Sequence, residues 1–276
     1  MRVALVTGAN GGIGKLISLE LIRAGFLVIA AMRNTAKQDE LVGIVKNLGL
    51  EANLEIVQMD VTKEEEIGEI KGWIQSRFGQ LDVLVNNAGY SQGGFIEDLT
   101  MEDWESQYGT NVFGVIQITK SLLPLLKKSH KGQIINISSV SGYFGFPGMG
   151  PYCSSKFAVE GFSESLRLEL LSEHIFVSLI EPASFKTGIW EKGLEIGEII
   201  MEEEILKRNA FDFAKQASKN AGNPFEVANL VRKICHEKKP KFRYRVGKGA
   251  NSLWFIKKLV PWSIIERIVL KRLNKS

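Results

Sequence analysis

Cysteine and histidine are scarce in this chain of 276 residues. The two cysteines, Cys153 and Cys235, lie far apart without CxxC spacing, and the three histidines, His130, His174 and His236, are equally scattered. That excludes a disulfide framework, points to a reducing compartment and leaves no ligand set for zinc, so no metal is expected. No apolar run is long enough to cross a bilayer. Met1 leads at once into an apolar run and a glycine turn, leaving no room for a cleavable signal; a cytoplasmic protein is expected. Only 7 residues are proline, and there is no repeat, low-complexity segment or Pro/Ser linker. One domain over residues 1–250 with an extension over 251–276 is the economical reading.

Strong charge of one sign is also missing, since the net charge is +4. The balance is uneven: from Glu237 onward eight Lys and four Arg face two Glu, so the tail carries +10 and the body −6. An acidic body excludes a general nucleic-acid role, which needs a broad basic face. What the chain does have is 45% apolar residues in a regular pattern. Short β-branched runs at Val3–Val6, Leu27–Ala31, Leu54–Met59, Val83–Val85, Gln133–Ile137, Phe176–Ile180 and Phe242–Val246 alternate with segments of helical period. Helices are expected to open near Gly12, Ala36, Lys63, Met101, Tyr152 and Pro224. Such alternation predicts an α/β fold, a parallel sheet with helices on both faces.

The first strand runs into Thr7-Gly8-Ala9-Asn10-Gly11-Gly12-Ile13-Gly14 and then a helix. Glycines at this spacing allow a tight turn whose backbone N–H groups approach a pyrophosphate, with Gly8, Asn10, Gly12, Ile13 and Gly14 as candidate contacts. A fold of this kind that prefers NAD places a carboxylate at the end of the second strand to hold the ribose 2′-hydroxyl. Here Met32-Arg33-Asn34 stands there, with no carboxylate before Asp39. A guanidinium takes a 2′-phosphate bidentately, so Arg33 points to NADP(H).

Ser139 closes the fifth strand, and Tyr152 and Lys156 follow one helical turn apart on one face. A phenol with pKa about 10 is a poor acid–base group at neutral pH. A cation about 5 Å away contributes roughly 3 kcal/mol at an effective dielectric near 20, which would bring the phenol toward physiological pH. Tyr152 then donates a proton to a carbonyl oxygen that Ser139 polarises. Spacing alone is weak support, because Tyr244 and Lys248 repeat it. That second pair lies in a strand-like basic segment with Val231 where the serine would be needed.

The glycine turn, Asn86-Asn87-Ala88-Gly89, Asn111, Ser139 and Tyr152 with Lys156 together resemble the short-chain dehydrogenase/reductase family over about residues 1–190. The resemblance is looser to its steroid and retinoid branch. It implies a Rossmann-type, doubly wound sheet of seven parallel strands and an enzyme acting on CH–OH donors. It also implies that Asp60 and Val61 contact the adenine, that Asn87, Ala88 and Gly89 support the adenosine ribose, and that Asn111 holds a water linking Lys156 to solvent. Lys156 would also bind the nicotinamide ribose. The family's PGxxxT loop corresponds to Pro182-Ala183-Ser184-Phe185-Lys186-Thr187, so Thr187 would hold the carboxamide, with Pro182 and Phe185 as further cofactor contacts. Ala183 replaces a glycine, and at positive φ it would shift that loop at a cost of order 1 kcal/mol. A homodimer or homotetramer is implied by analogy.

Residues 187–223 fit neither sheet nor crossover and carry Ile189, Trp190, Leu194, Ile196, Ile199, Ile200, Met201, Phe211 and Phe213. A lid this apolar suggests a hydrophobic carbonyl or alcohol substrate. Tyr143, Phe144, Phe146 and Met149 either line its pocket or fill core. Cys153 is read as a buried, inert thiol. In the tail, Trp254, Lys257, Lys258 and Trp262 lead into a helix for which Ser263 and Glu266 have capping-box spacing. That tail is either a peripheral anchor on a membrane surface or a cover over the substrate mouth or another subunit. A protein that binds the nucleotide only as a sensor or scaffold is the rival from another class.

Overall fold

The computed structural model describes residues 1–187 and 205–273. Seven strands form one sheet: Val3–Thr7 (β1), Leu27–Met32 (β2), Leu54–Gln58 (β3), Val83–Asn86 (β4), Gln133–Ile137 (β5), Phe176–Pro182 (β6) and Arg243–Val246 (β7). Every pairing is parallel, in the order β3-β2-β1-β4-β5-β6-β7. This is the expected doubly wound, Rossmann-type sheet. The order reverses between β1 and β4, and in such sheets the crevice beyond the C-terminal strand ends at that point receives the ligand.

The helices are Gly12–Arg23 (α1), Asp39–Asn47 (α2), Glu64–Phe78 (α3), Met101–Tyr108 (α4), Gly114–Leu126 (α5), Gly150–Leu170 (α6), Ile205–Lys219 (α7), Phe225–His236 (α8), Ala250–Leu259 (α9) and Trp262–Leu273 (α10). Because side chains alternate along a strand, β1 feeds two cores. Ala4 and Val6 pack with Ile17 and Leu21 of α1, Leu41 and Val45 of α2, and Val227 and Val231 of α8. Val3 and Leu5 pack with Ile67 and Ile74 of α3, Ile118 and Leu122 of α5, and Leu166 and Leu170 of α6. Strands buried on both faces explain why the sequence shows continuous apolar runs there.

Three local expectations are corrected. The helix expected near Ala36 begins at Asp39, because Asn34 Oδ1 accepts from Ala36 N at 2.9 Å and caps a separate single turn, Thr35–Lys37. The helix from Met101 is not regular: a five-residue π turn, Gly109–Phe113, separates α4 from α5. In the tail, the helix starts at Trp262, with Ile264 N and Ile265 N donating to Pro261 O, so Ser263 sits inside it and is not the cap. Among the described residues, no helix is long and apolar enough to cross a membrane.

Candidate active site

At the end of β1 the chain turns through Gly8 (φ 66°) and Gly12 (φ 51°), a conformation that favours glycine. Gly14 is required for a different reason: a Cβ there would lie 2.2 Å from Gly8 O and 2.5 Å from Asn87 Nδ2. Asn87 fixes the turn, its Nδ2 donating to Thr7 O at 2.9 Å, while Thr7 Oγ1 accepts from Asn87 N and Ala88 N at 3.0 and 2.9 Å. α1 then starts at an extended Gly11 with no side-chain cap and no acidic residue in its first turn. Its unpaired N–H groups and positive dipole end form a cradle that suits an anion such as a pyrophosphate.

One cavity of about 1830 Å³ runs along the strand ends and gathers nearly every candidate residue. Its walls include Gly8, Asn10, Gly12, Ile13, Arg33, Asp60, Val61, Asn87, Ala88, Gly89, Ser139, Tyr152, Lys156, Pro182, Phe185 and Thr187. Lys37 also lines it beside the exposed Arg33, a second cation the sequence reading missed although the Asn34-capped turn places it there. Asp60 is partly engaged, its Oδ1 accepting from Thr62 N and Thr62 Oγ1 at 2.9 and 2.8 Å. Gly14 and Asn111 stand behind this wall, Gly14 in the turn and Asn111 in the π turn.

Ala183 does not sit at positive φ, so the strain expected of it is not there; among the described residues only His174 is a non-glycine with positive φ. Ala183 N donates to Val246 O at 2.9 Å, an ordinary extension of the β6–β7 pairing. Phe185 is chiefly core, 3% exposed and packed against Gly222 and Gly247. Thr187 faces the glycine turn, with its Cβ 3.6 Å from where a Gly12 Cβ would be.

Tyr152 and Lys156 lie on α6, and both are buried. Ser139 lies two residues beyond β5 in extended backbone, accepts from Ser141 N at 3.1 Å and hydrogen-bonds the Tyr152 side chain. Lys156 Nζ lies 5.7 Å from the Tyr152 ring centre and donates to Ile137 O at 2.8 Å. Burial raises the Tyr152 pKa to about 12, opposed by the Ser139 hydrogen bond. Burial also lowers the Lys156 pKa to about 8, opposed by Glu160 one turn further along α6. Burial thus holds the phenol above its ordinary value, against the expected approach to neutral pH. At neutral pH the pair is a protonated phenol beside a cation, the forms a proton donor needs.

Behind Lys156 lies a charged cluster that no sequence motif revealed. Glu160 pairs with Arg243, which also donates to Glu181 Oε1 at 2.9 Å, and Arg245 Nε lies 3.1 Å from Glu181 Oε2. Asn111 is 1% exposed. Its Oδ1 accepts from Tyr90 N at 3.2 Å, and its Nδ2 donates to Tyr90 O at 3.0 Å and Ser155 Oγ at 3.3 Å. π turns recur at functional sites, and this one places Asn111 against α6.

The other end of the cavity is mostly apolar, with Asp212, Gln216 and Arg272 also in its lining. Phe144, Phe146 and Met149 line it, whereas Tyr143 is structural, its hydroxyl donating to Ala250 O at 2.8 Å. Phe213 of α7 lines it too, as do Leu253, Ile256, Ile265, Ile268, Val269 and Leu273 from the tail helices. Asn209 Nδ2 donates to Leu273 O at 2.6 Å, and Lys207 Nζ reaches Glu97 and Asp98 at 2.8 and 3.0 Å, anchoring α7. Ile189, Trp190, Leu194, Ile196, Ile199, Ile200 and Met201 lie outside the described residues. Cys153 is 5% and Cys235 0% exposed, and burial raises both thiol pKa values. Among the described residues no three His, Cys, Asp or Glu side chains converge on a metal position.

Comparison with known proteins shows the family and the fold. The family model described as short chain dehydrogenase matches residues 2–195. The uncharacterized oxidoreductase YusZ of Bacillus subtilis is 40% identical over 99% of this chain and 98% of its own. A 3-ketodihydrosphingosine reductase of Bacteroides thetaiotaomicron is 36% identical over 89% of this chain and 88% of its own. Retinol dehydrogenase 8 of Bos taurus is 32% identical over 94% and 86%. Among solved structures, a short-chain dehydrogenase from Streptomyces avermitilis superposes with a TM-score of 0.81 at 29% identity, covering 100% of this chain and 98% of its own. An actinorhodin polyketide ketoreductase holding NADPH gives 0.77 at 30% identity over 90% and 97%.

Proposed function

The chain belongs to the short-chain dehydrogenase family, and on that premise we propose that it is an NADP(H)-dependent oxidoreductase interconverting a carbonyl and an alcohol on a hydrophobic substrate. The observation that carries this reading is a single cavity with an anion cradle and two cations at one end, Ser139, Tyr152 and Lys156 at its middle, and apolar walls at the other.

The turn from Gly8 to Gly14 would bind the pyrophosphate, with Asn87, Ala88 and Gly89 along the adenosine ribose and Asp60 and Val61 at the adenine. Arg33 would take a 2′-phosphate, helped by Lys37. Thr187 and the backbone from Pro182 to Phe185 would hold the carboxamide, and Lys156 the nicotinamide ribose. When bound, the dinucleotide supplies or accepts the hydride. Ser139 donates a hydrogen bond to the substrate oxygen and fixes its position. Tyr152 gives that oxygen its proton in reduction and takes it back in oxidation, and the Lys156 ammonium stabilises the phenolate left behind. Asn111, whose side chain is fixed by Tyr90 and Ser155, would hold the water that reprotonates this pair. The apolar end, and relatives named for a sphingoid ketone and for retinol, support a lipid-like carbonyl or alcohol.

NADPH and NADH oxidation over a panel of carbonyls tests the reading. Turnover of apolar carbonyls with NADPH is expected, and Tyr152→Phe should lose ~10²–10⁴-fold. Equal turnover by the variant refutes the proton donor. Tight nucleotide binding with no carbonyl reduced assigns the chain to a sensor or scaffold role instead.

A further inference from the structure

α9 and α10 show two different faces. Towards the protein they bury Ala250, Ile265 and Leu273 and line the cavity that holds Tyr152. Towards solvent, Phe255 and Leu259, one turn apart on α9, stand 53% and 71% exposed, and Ile264 and Ile268, one turn apart on α10, 44% and 53%. Exposed apolar side chains gathered this closely mark a surface that meets something other than water. Lys257, Lys258, Arg267, Lys271 and Arg272 are interspersed with them, against Glu266 as the one acid between Ala250 and Leu273. The lysines lie along rings: Lys257 Nζ is 4.3 Å from the Trp262 ring centre and Lys258 Nζ 4.9 Å from that of Trp254. Each ammonium thus sits over an aromatic face, so cations and rings of α9 and α10 are intermingled.

We propose that the outer face of α9 and α10 docks on an anionic lipid bilayer, with Phe255, Leu259, Ile264 and Ile268 entering the interface and the surrounding cations meeting lipid phosphates. Charge selects this occupant. α9 and α10 carry +4 within a tail of +10, on a body of −6, so an anionic surface attracts the tail and repels the rest, which favours one orientation. A second copy joined through the same face would set five cations against five. Ile256 and Ile268 are exposed and also line the cavity, so the docked face adjoins its opening. A long-chain substrate could then pass from the bilayer to Tyr152 without crossing water. Docking does not depend on the catalytic reading; delivery of substrate rests on it.

The test is co-sedimentation of the full chain with phosphatidylglycerol/phosphatidylcholine vesicles and with phosphatidylcholine vesicles alone. Pelleting with the anionic vesicles at low salt, and its loss at high salt or without phosphatidylglycerol, is expected. Leu259→Asp should weaken partitioning about tenfold or more, and Lys271→Glu about fivefold or more. Both variants should reduce a small water-soluble carbonyl as fast as the parent, which shows that they fold. Failure of the parent to pellet at low salt, or equal pelleting by Leu259→Asp, overturns the proposal. So does a dimer in analytical ultracentrifugation that Leu259→Asp splits into monomers. Pelleting is expected of Tyr152→Phe as well, and a parent that pellets but reduces no carbonyl defeats the enzymatic reading alone.

Discussion

At the glycine turn the cleft is shaped by backbone: Gly8 and Gly12 at positive φ, Gly14 pressed against Gly8 O, and Asn87 bonded to the chain of Thr7. At the opposite end it is shaped by side chains from α7, α9 and α10, held by ion pairs at Lys207 and by rings and cations, such as Arg272 over Phe213 at 5.5 Å. The two ends tolerate change differently. Where main chain makes the surface, a single methyl group collides with atoms that have no other rotamer. Where side chains make it, a substitution changes the shape of the volume and leaves the frame standing. A fixed end suits a ligand common to a whole family, and a variable end suits the partner that differs between its members.

Gly14→Ala probes the rigid end with the largest expected effect. Its Cβ would meet Gly8 O at 2.2 Å, so NADPH affinity should fall ~100-fold, with a stability loss of about 1–3 kcal/mol, read by fluorescence titration and urea unfolding. Arg33→Ala should raise the KM for NADPH roughly 10–100-fold, the loss of a charge-assisted pair, and leave that for NADH unchanged. An equal effect on both nucleotides would remove Arg33 from the 2′-phosphate. The pH profile tests the middle of the cavity. Lys156, with a pKa near 8, is charged below that value and neutral above it, so reduction should decline as pH rises through about 8. Glu160→Gln should move that limb to lower pH, because the carboxylate opposes the effect of burial. Phe213→Ala has the smallest effect, a roughly 3–10-fold loss of kcat/KM on long apolar carbonyls and none on a small one. A comparable loss on both would show that the side-chain end is as rigid as the backbone end.

The rigid end was also the readable one. Glycine positions declare a turn because few other residues fit it, Tyr152 and Lys156 declare a face through the helical repeat, and fully buried strands declare themselves as unbroken apolar runs. Other features left no such trace. The π turn around Asn111 uses residues compatible with a regular helix. Lys37 enters the cavity through a turn whose cap, Asn34, is a commonplace loop residue. Glu160, Glu181, Arg243 and Arg245 come together only once β6 and β7 pair. The Coulomb argument for Tyr152 took the lysine's charge as given, and only the depth of burial could show that the charge itself is at risk. Pro261 opened the last helix one residue ahead of Ser263, a difference smaller than spacing rules resolve.

The two thiols lead to one more consequence. Cys153 adjoins Tyr152 yet takes no part in the proposed chemistry, and Cys235 lies on the core face of α8, its pKa raised to about 12. Neither offers a thiolate to an electrophile. Iodoacetamide or dilute peroxide, which silence enzymes that work through sulfur, should therefore leave the proposed carbonyl reduction unchanged.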